Sequence, residues 1–352
     1  MIDSGSQPPL VSICVPTYNG AAFFRECLAS IQAQTLGDFE VLIVDDDSTD
    51  DTLAIAAEFA RQDARFQIHR NPKRLGLVGN WNRSLELARG EWIKFVFQDD
   101  TIESRCLERL VAGCRQFHCA FGFCRRQVVF DEQVADSLRN YFQAHQVLLD
   151  EIYGLQDCHL DGETFARQAV RRMDWNPVGE PTAVLFHRSL IQDFGKFVPA
   201  MIQRCDTEYW LRLGTNVGVV QVAERLATFR VHAKSTTSQN QSKRDYRARL
   251  IDPLILHYLI LHEKHYRLLR RELYRASGRL VNWWRLVWAA QQARTVAATA
   301  PDVPEIQAEW DNVVAAYPRF STLARVGGVL NQIRLILGGL GLDRHLQRKS
   351  SA

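Results

Sequence analysis

The sequence has no run of about 18 uncharged apolar residues, which argues against a membrane-spanning helix. Met1 to Leu10 carries neither a basic stretch nor an apolar core, so it is not read as a secretory signal. Among eight cysteines (Cys14, Cys27, Cys106, Cys114, Cys119, Cys124, Cys158, Cys205) no CxxC pair occurs. Neither a zinc site nor a disulfide framework is indicated, and a reduced, cytoplasmic compartment is expected. Charge of one sign is also scarce, since the formal net charge is only +3. That imbalance is too weak to argue for a nucleic-acid partner. Internal repeats and low-complexity blocks are absent as well. What is present is ordinary for a globular chain: 352 residues, 46% hydrophobic and 24% charged, enough for one large domain or two.

Short apolar runs alternate with helical spacing along the first hundred residues. Val11 to Pro16 reads as a strand ending in the turn cluster Thr17-Tyr18-Asn19-Gly20, and Ala21 to Gln34 has helical spacing. Phe39 to Val44 is the next strand, ending in Asp45-Asp46-Asp47, with Thr49 or Asp50 placed to cap the helix that follows. Phe66 to His69, a helix over Leu77 to Ala88 and a strand from Glu91 toward Asp100 continue the alternation, with Thr101 to Glu103 expected to start a helix. This order implies βαβ units and a mainly parallel sheet. Further on, Phe121 to Phe130, Thr182 to Phe186, Val217 to Val222 and Leu226 to Val231 read as strands. Asp131 to Asp161 has no clear period and is expected to form loops and a helix over the site, and Asp206 to Gly214 is helical. From Lys243 the texture changes to long helices rich in Arg, Leu and Trp, which sets a boundary near Gln241.

The strand toward Asp100 ends abruptly in two adjacent carboxylates, Asp99 and Asp100. Binding sites in open α/β sheets lie at such strand ends. Neighbouring carboxylates raise one another's pKa, so a site that keeps both ionised tends to hold a cation. The competing reading is a helix cap followed by a solvated acid. Near Asp45 to Asp47 the cap is already offered by Asp50, so Asp46 is free for another task. A carboxylate there can read the single N–H of a uracil-type base, and Tyr18 can stack on its face.

The segments Val11 to Asn19, Val44 to Asp50 and Gln98-Asp99-Asp100, in this order and at strand ends, resemble the signature of family 2 glycosyltransferases. The resemblance covers roughly residues 10 to 240 and implies a GT-A fold (Rossmann-like, with helices flanking a central sheet), a divalent metal (Mn²⁺ or Mg²⁺) and inversion at the anomeric carbon. It implies roles residue by residue. Pro16, Thr17, Tyr18 and Asn19 would line the nucleotide-sugar pocket, Asp46 would accept from the base, and Gln98 and Asp99 would border the diphosphate. Asp100 would hold the metal, with His232 as a further ligand or diphosphate contact, and Arg230 or Lys234 would offset phosphate charge. The loop from Asn71 to Asn82 would place Arg74 near a phosphate and Asn80 at a cap or the ribose. Cys205 to Arg212 resembles the family's late acidic motif, which makes Asp206 the general base, although Cys205 stands where many members carry Glu. On the same helix Glu208 and Arg212 are spaced to pair with each other. Glu180, beside Pro181 in a loop, would face the donor or acceptor pocket.

The expected function is transfer of a sugar from a UDP-linked donor to a hydroxyl of a saccharide or lipid-linked saccharide. A catalytically inactive nucleotide-sugar-binding protein stays open as an alternative. A nucleotidyltransferase would need an early Gly-rich basic loop, and Pro16 to Ala22 has one glycine, Gly20, and no Lys or Arg. Beyond residue 241, Trp283, Trp284 and Trp288 with Arg279, Arg285 and Arg294 suggest packing against the catalytic domain or a second protomer. Such a basic, Trp-bearing helix can also lie on an anionic membrane surface.

Overall fold

The structure is a computed structural model that describes residues 7–173, 175–232, 245–299 and 304–339. The described residues form two compact units. One holds the residues up to 232 together with Glu263–Glu272, and the other holds 245–262 and the residues from Leu273 onward.

The first unit is a mixed α/β layer structure. Strands β1 (Val11–Thr17) and β2 (Phe39–Asp45) are buried along their whole length, as expected of strands covered by helices on both faces. With β3 (Phe66–Arg70) and β4 (Trp92–Phe95) they make a parallel block in the order 3-2-1-4. Helices α1 (Ala21–Gln32), α2 (Thr52–Gln62) and α3 (Leu77–Leu87) supply the crossovers, and α1 buries Phe24, Cys27, Leu28 and Ile31 at helical spacing.

Beyond β4 the sheet becomes mixed. Thr101–Ile102 forms β5, and β6 (Phe121–Phe130), β7 (Cys158–Leu160), β8 (Val184–His187) and β9 (Val219–Val231) complete it in the order 4-8-6-9-5, with β7 also on β9. The helix expected at Thr101 to Glu103 therefore starts later. These residues pair antiparallel with Ala227 and Thr228, and α4 begins at Cys106 (Cys106–Gln116). The two strands expected between Val217 and Val231 are one, because β9 absorbs its polar middle as an irregular pairing with β6 at Arg125. Helix α5 (Asp136–Tyr153) occupies the stretch without clear period, and α6 (Gly162–Arg171), α7 (Ser189–Phe194) and α8 (Cys205–Val217) follow. The expected pairing of Arg212 with Glu208 is present within α8, at 2.8 and 3.0 Å, and Tyr266 also donates to Glu208.

The second unit is helical, with helices Asp252–His262, Arg279–Thr299, Pro304–Ala316 and Arg319–Gly339. Leu254, Ile255, Ile260, Leu286, Val287 and Phe320 form its buried interior, where Arg247 lies between Asp252 and Glu309. Leu280, Val281, Trp283 and Trp284 remain exposed on helix Arg279–Thr299. Among the described residues no helix is long and apolar enough to cross a membrane.

Candidate active site

The C-terminal ends of β1, β2 and β4 lie side by side, which is where the parallel block delivers its turns. Thr17, at the end of β1, donates through its hydroxyl to Asp45 at 3.2 Å, and the Asp46 N–H donates to the Thr17 carbonyl at 2.9 Å. Tyr18 and Gln98 are locked by a reciprocal pair: the Tyr18 N–H donates to Gln98 Oε1 at 2.9 Å, and Gln98 Nε2 donates to the Tyr18 carbonyl at 3.2 Å. Asn19 sits in the left-handed region at φ 48°, where Asn is tolerated, and its side chain accepts from the Thr49 N–H at 2.8 Å. A Cβ at Gly20 would overlap the Gln98 amide, so a larger residue there would push Gln98 off its bonds to Tyr18. The Tyr18 ring is 37% exposed, and the Arg74 guanidinium lies 3.9 Å from its centroid.

Asp46 is buried and holds the loop before α3. Its Oδ1 accepts from Asn71 Nδ2 (3.0 Å) and the Leu75 N–H (2.7 Å), and Oδ2 accepts from the Gly76 N–H (2.9 Å). A carboxylate offers about four acceptor positions, so one remains. Asn80 does not reach the surface. Its amide donates to the Val44 carbonyl at 2.9 Å and accepts from Asn71, so it ties α3 to the sheet and is not placed for a ribose contact. Pro16 is likewise buried within β1, opposite Val44, and lines no surface.

The two acids after β4 differ sharply. Asp100 is buried, and its oxygens accept from the Thr182 hydroxyl and, at 3.0 Å, from the Arg230 N–H. Burial and the adjacent Asp99 push Asp100 well above the usual carboxylate range. Asp99 keeps its carboxylate partly open, with His232 Nε2 at 3.1 Å from Oδ2. Arg230 pairs with Glu26 at 2.6 Å and donates to the Asp99 carbonyl at 3.2 Å, while Lys234 lies outside the described residues. No cluster of three or more metal-ligating His, Cys, Asp or Glu side chains occurs among the described residues.

The short span from Asn176 to Thr182 connects these acids to Asp206. At one end Thr182 bonds Asp100; at the other, Asn176 Nδ2 donates to Asp206 Oδ2 at 2.9 Å. Between them Glu180 forms an ion pair with Arg126, and the Gly179 carbonyl accepts from Trp210 Nε1 at 3.0 Å. Arg126 Nη2 also lies 3.0 Å from His145 Nδ1. Because arginine can only donate, Nδ1 is the bare nitrogen and Nε2 carries the proton that reaches the Asn176 carbonyl at 2.6 Å. Burial and the Arg126 charge hold His145 below the ordinary imidazole value. Asp206 itself, at the N-terminus of α8, accepts from the Thr207 N–H at 2.7 Å. Burial, with the Glu180 charge adding to it, outweighs that bond and pushes Asp206 up to about 7.

Asp206, Glu180 and Asp100 are thus linked through one span, Asp99 with its His232 partner directly precedes Asp100 in the chain, and Tyr18, Gln98, Asp46 and Arg74 lie at the neighbouring strand ends. Arg126, His145, Asn176 and Thr182 were not singled out from the sequence. Their roles depend on partners 19 to 82 residues away, and a turn rich in Asn, Pro and Gly was the only local signal.

Comparisons with known proteins concern the same part of the chain. A family model described as Glycosyl transferase family 2 matches residues 12–194. An uncharacterized protein of Mycobacterium tuberculosis is 35% identical over 236 residues, covering 67% of this chain and 72% of that one. Among solved structures, S. aureus TarS 1-349 in complex with UDP-GlcNAc aligns with TM-score 0.58 at 18% identity over 90% of each chain. Mannosyltransferase PcManGT from Pyrobaculum calidifontis, in complex with GDP-Man and Mn2+, aligns with TM-score 0.52 at 17% identity over 92% of this chain and 85% of that one.

Proposed function

The chain belongs to glycosyl transferase family 2, and from that premise we propose that it transfers a sugar from a UDP-linked donor to a hydroxyl of a saccharide or lipid-linked saccharide, with inversion. The observation that carries this reading is Asp206: a carboxylate raised to about 7, held by Asn176 and Thr207, on the span that also holds Asp100. A base of that strength matches its task near neutral pH. In the proposed step the acceptor oxygen bonds the anomeric carbon while Asp206 takes its proton. The carbon–oxygen bond to the diphosphate breaks, and its electron pair leaves on the nucleoside diphosphate.

At the donor end, Tyr18 offers an exposed ring for the base, and the remaining acceptor position of Asp46 can take the base N–H. Asp46 also fixes the loop that carries Arg74, whose guanidinium suits a phosphate. A divalent cation fits the acids after β4, but through Asp99 and not Asp100. Asp99 and His232 stand side by side with the Asp99 carboxylate partly open, whereas the oxygens of Asp100 are already engaged. One carboxylate and one imidazole leave positions for diphosphate oxygens, and the imidazole suits Mn²⁺ better than the harder, oxygen-seeking Mg²⁺. When bound, such a cation offsets the charge that develops on the leaving diphosphate. UDP-GlcNAc in the TarS complex supports the donor class, and Mn2+ in the PcManGT complex, whose donor is GDP-Man, supports the metal class.

A basic, aromatic patch on the second unit supports contact with an anionic membrane from the cytoplasmic side, where a lipid-linked acceptor would be presented. Leu280, Val281, Trp283 and Trp284 are exposed beside Arg279 and Arg285. Asp206→Asn tests the central reading. Turnover of the UDP-sugar should fall by roughly 10² to 10⁴, while thermal stabilisation by UDP persists; loss of UDP binding together with turnover would reject Asp206 as the base.

A further inference from the structure

We propose that Tyr141 and Trp175 form the acceptor platform, a stacked aromatic shelf that takes the apolar face of a pyranose ring beside Asp206; this rests on the glycosyltransferase reading above. The two ring planes are nearly parallel and stack face to face, 5.2 Å between centroids with an interplanar angle of 8°, so Trp175 backs Tyr141, which is 42% exposed and offers its outer side. A rigid aromatic side chain left open in this way, backed by a half-buried one, supplies contact area at little entropy cost.

Their position ties them to the base. Trp175 directly precedes Asn176, whose side chain bonds Asp206 at 2.9 Å. Tyr141 lies one turn before His145 on α5, and the His145 ring lies 6.2 Å from Tyr141 and 5.7 Å from Trp175. His145 in turn donates to the Asn176 carbonyl. The shelf, the base and its holder are therefore one connected group. Burial first, then the Glu180 charge with Asp206 adding to it, raise the Tyr141 hydroxyl above its ordinary value against the opposing pull of Arg204 and Arg126.

The chemistry specifies the ligand class. A flat aromatic face next to Asn176, the residue that bonds Asp206, suits a ring that is apolar on one face and hydroxylated at its edge, which describes a pyranose. A nucleotide base is provided for elsewhere, at Tyr18 and Arg74.

Saturation-transfer NMR on the full chain with UDP and diamagnetic Mg²⁺ tests the shelf, using the methyl glycosides of glucose, galactose, mannose and N-acetylglucosamine as probes, with stabilisation by UDP measured separately in Mn²⁺. In the wild type, transfer to at least one glycoside is expected to concentrate on the C–H protons of one ring face. Tyr141→Leu and Trp175→Leu should lose that transfer, Tyr141→Phe should keep it, and UDP should stabilise all three variants as it does the wild type. Absent or evenly spread transfer in the wild type, or transfer unchanged in the Leu variants, overturns the platform. If UDP stabilises the wild type while these outcomes occur, the platform alone fails; if UDP does not stabilise it, the glycosyltransferase reading fails as well. Should the Leu variants not fold, the one-face pattern in the wild type still decides.

Discussion

Replacing Asp206 by Asn should change how stability responds to pH, by an amount set by what burial costs the ionised carboxyl. Burial lifts this group from 3.8 to about 7, with the Glu180 charge adding to the rise and the Thr207 N–H opposing it. A difference of about three pK units corresponds to roughly 4 kcal/mol at about 1.36 kcal/mol per unit. The folded state binds the proton more tightly than the unfolded chain. Its stabilising contribution is therefore complete below the unfolded value and is lost as pH rises through the folded one. Asn does not titrate, so the difference in unfolding free energy, wild type minus Asp206→Asn, should fall by about 2 to 3 kcal/mol between about pH 5 and 8. Urea denaturation at the two pH values measures this without any substrate. If Asp206 is the proposed base, the same ionisation governs turnover: kcat/KM should climb with pH and level off above about 7, because only the ionised carboxylate accepts the acceptor proton. A pH-independent stability difference, or a kinetic limb near the ordinary carboxylate value, would refute the account of Asp206.

Three further outcomes follow from the contacts. Asp99→Asn should remove the Mn²⁺-dependent part of UDP stabilisation in a thermal-shift assay, whereas Asp100→Asn should keep it and lower the melting temperature of the free protein; the reverse pattern would return the metal to Asp100. Glu208→Gln leaves the buried Arg212 guanidinium short of its carboxylate, and chemical denaturation should show a loss of about 3 to 5 kcal/mol; a loss below about 1 kcal/mol would mean that the Phe194 and Lys196 carbonyls suffice for Arg212. Changing Trp283 and Trp284 together to Ser should weaken sedimentation with phosphatidylglycerol vesicles at least tenfold, and equal sedimentation of both proteins would remove the membrane patch.

The parallel half of the fold was legible because β1 and β2 are buried on both faces, so their apolar runs are unbroken, and because α1 keeps its buried residues at helical spacing. Legibility declined where pairing is remote. Thr101–Ile102 joins the sheet only through Ala227 and Thr228, which nothing local announces. Helix α5 hid its period because His145, a polar side chain, sits on its buried face with Phe142 and Leu149. At the site, residue types and their order pointed to Tyr18, Asp46, Asp206 and the pair Asp99-Asp100. Sequence could not show which of two adjacent acids turns inward, because that is decided by Thr182 and the Arg230 backbone. Nor could it reveal that Asn80, polar and next to a loop, spends its amide inside the fold.

On the proposed assignment, the span from Asn176 to Thr182 makes donor and acceptor chemistry mechanically dependent on each other. One end fastens Asp206, the proposed base, and the other fastens the acid next to the proposed cation ligand, with the Arg126–Glu180 pair as a rivet between them. Transplanting the acceptor preference of a relative by exchanging α5 alone would set a foreign His145 position against a native Asn176 carbonyl. A workable chimera would need to carry helix and span as a single cassette.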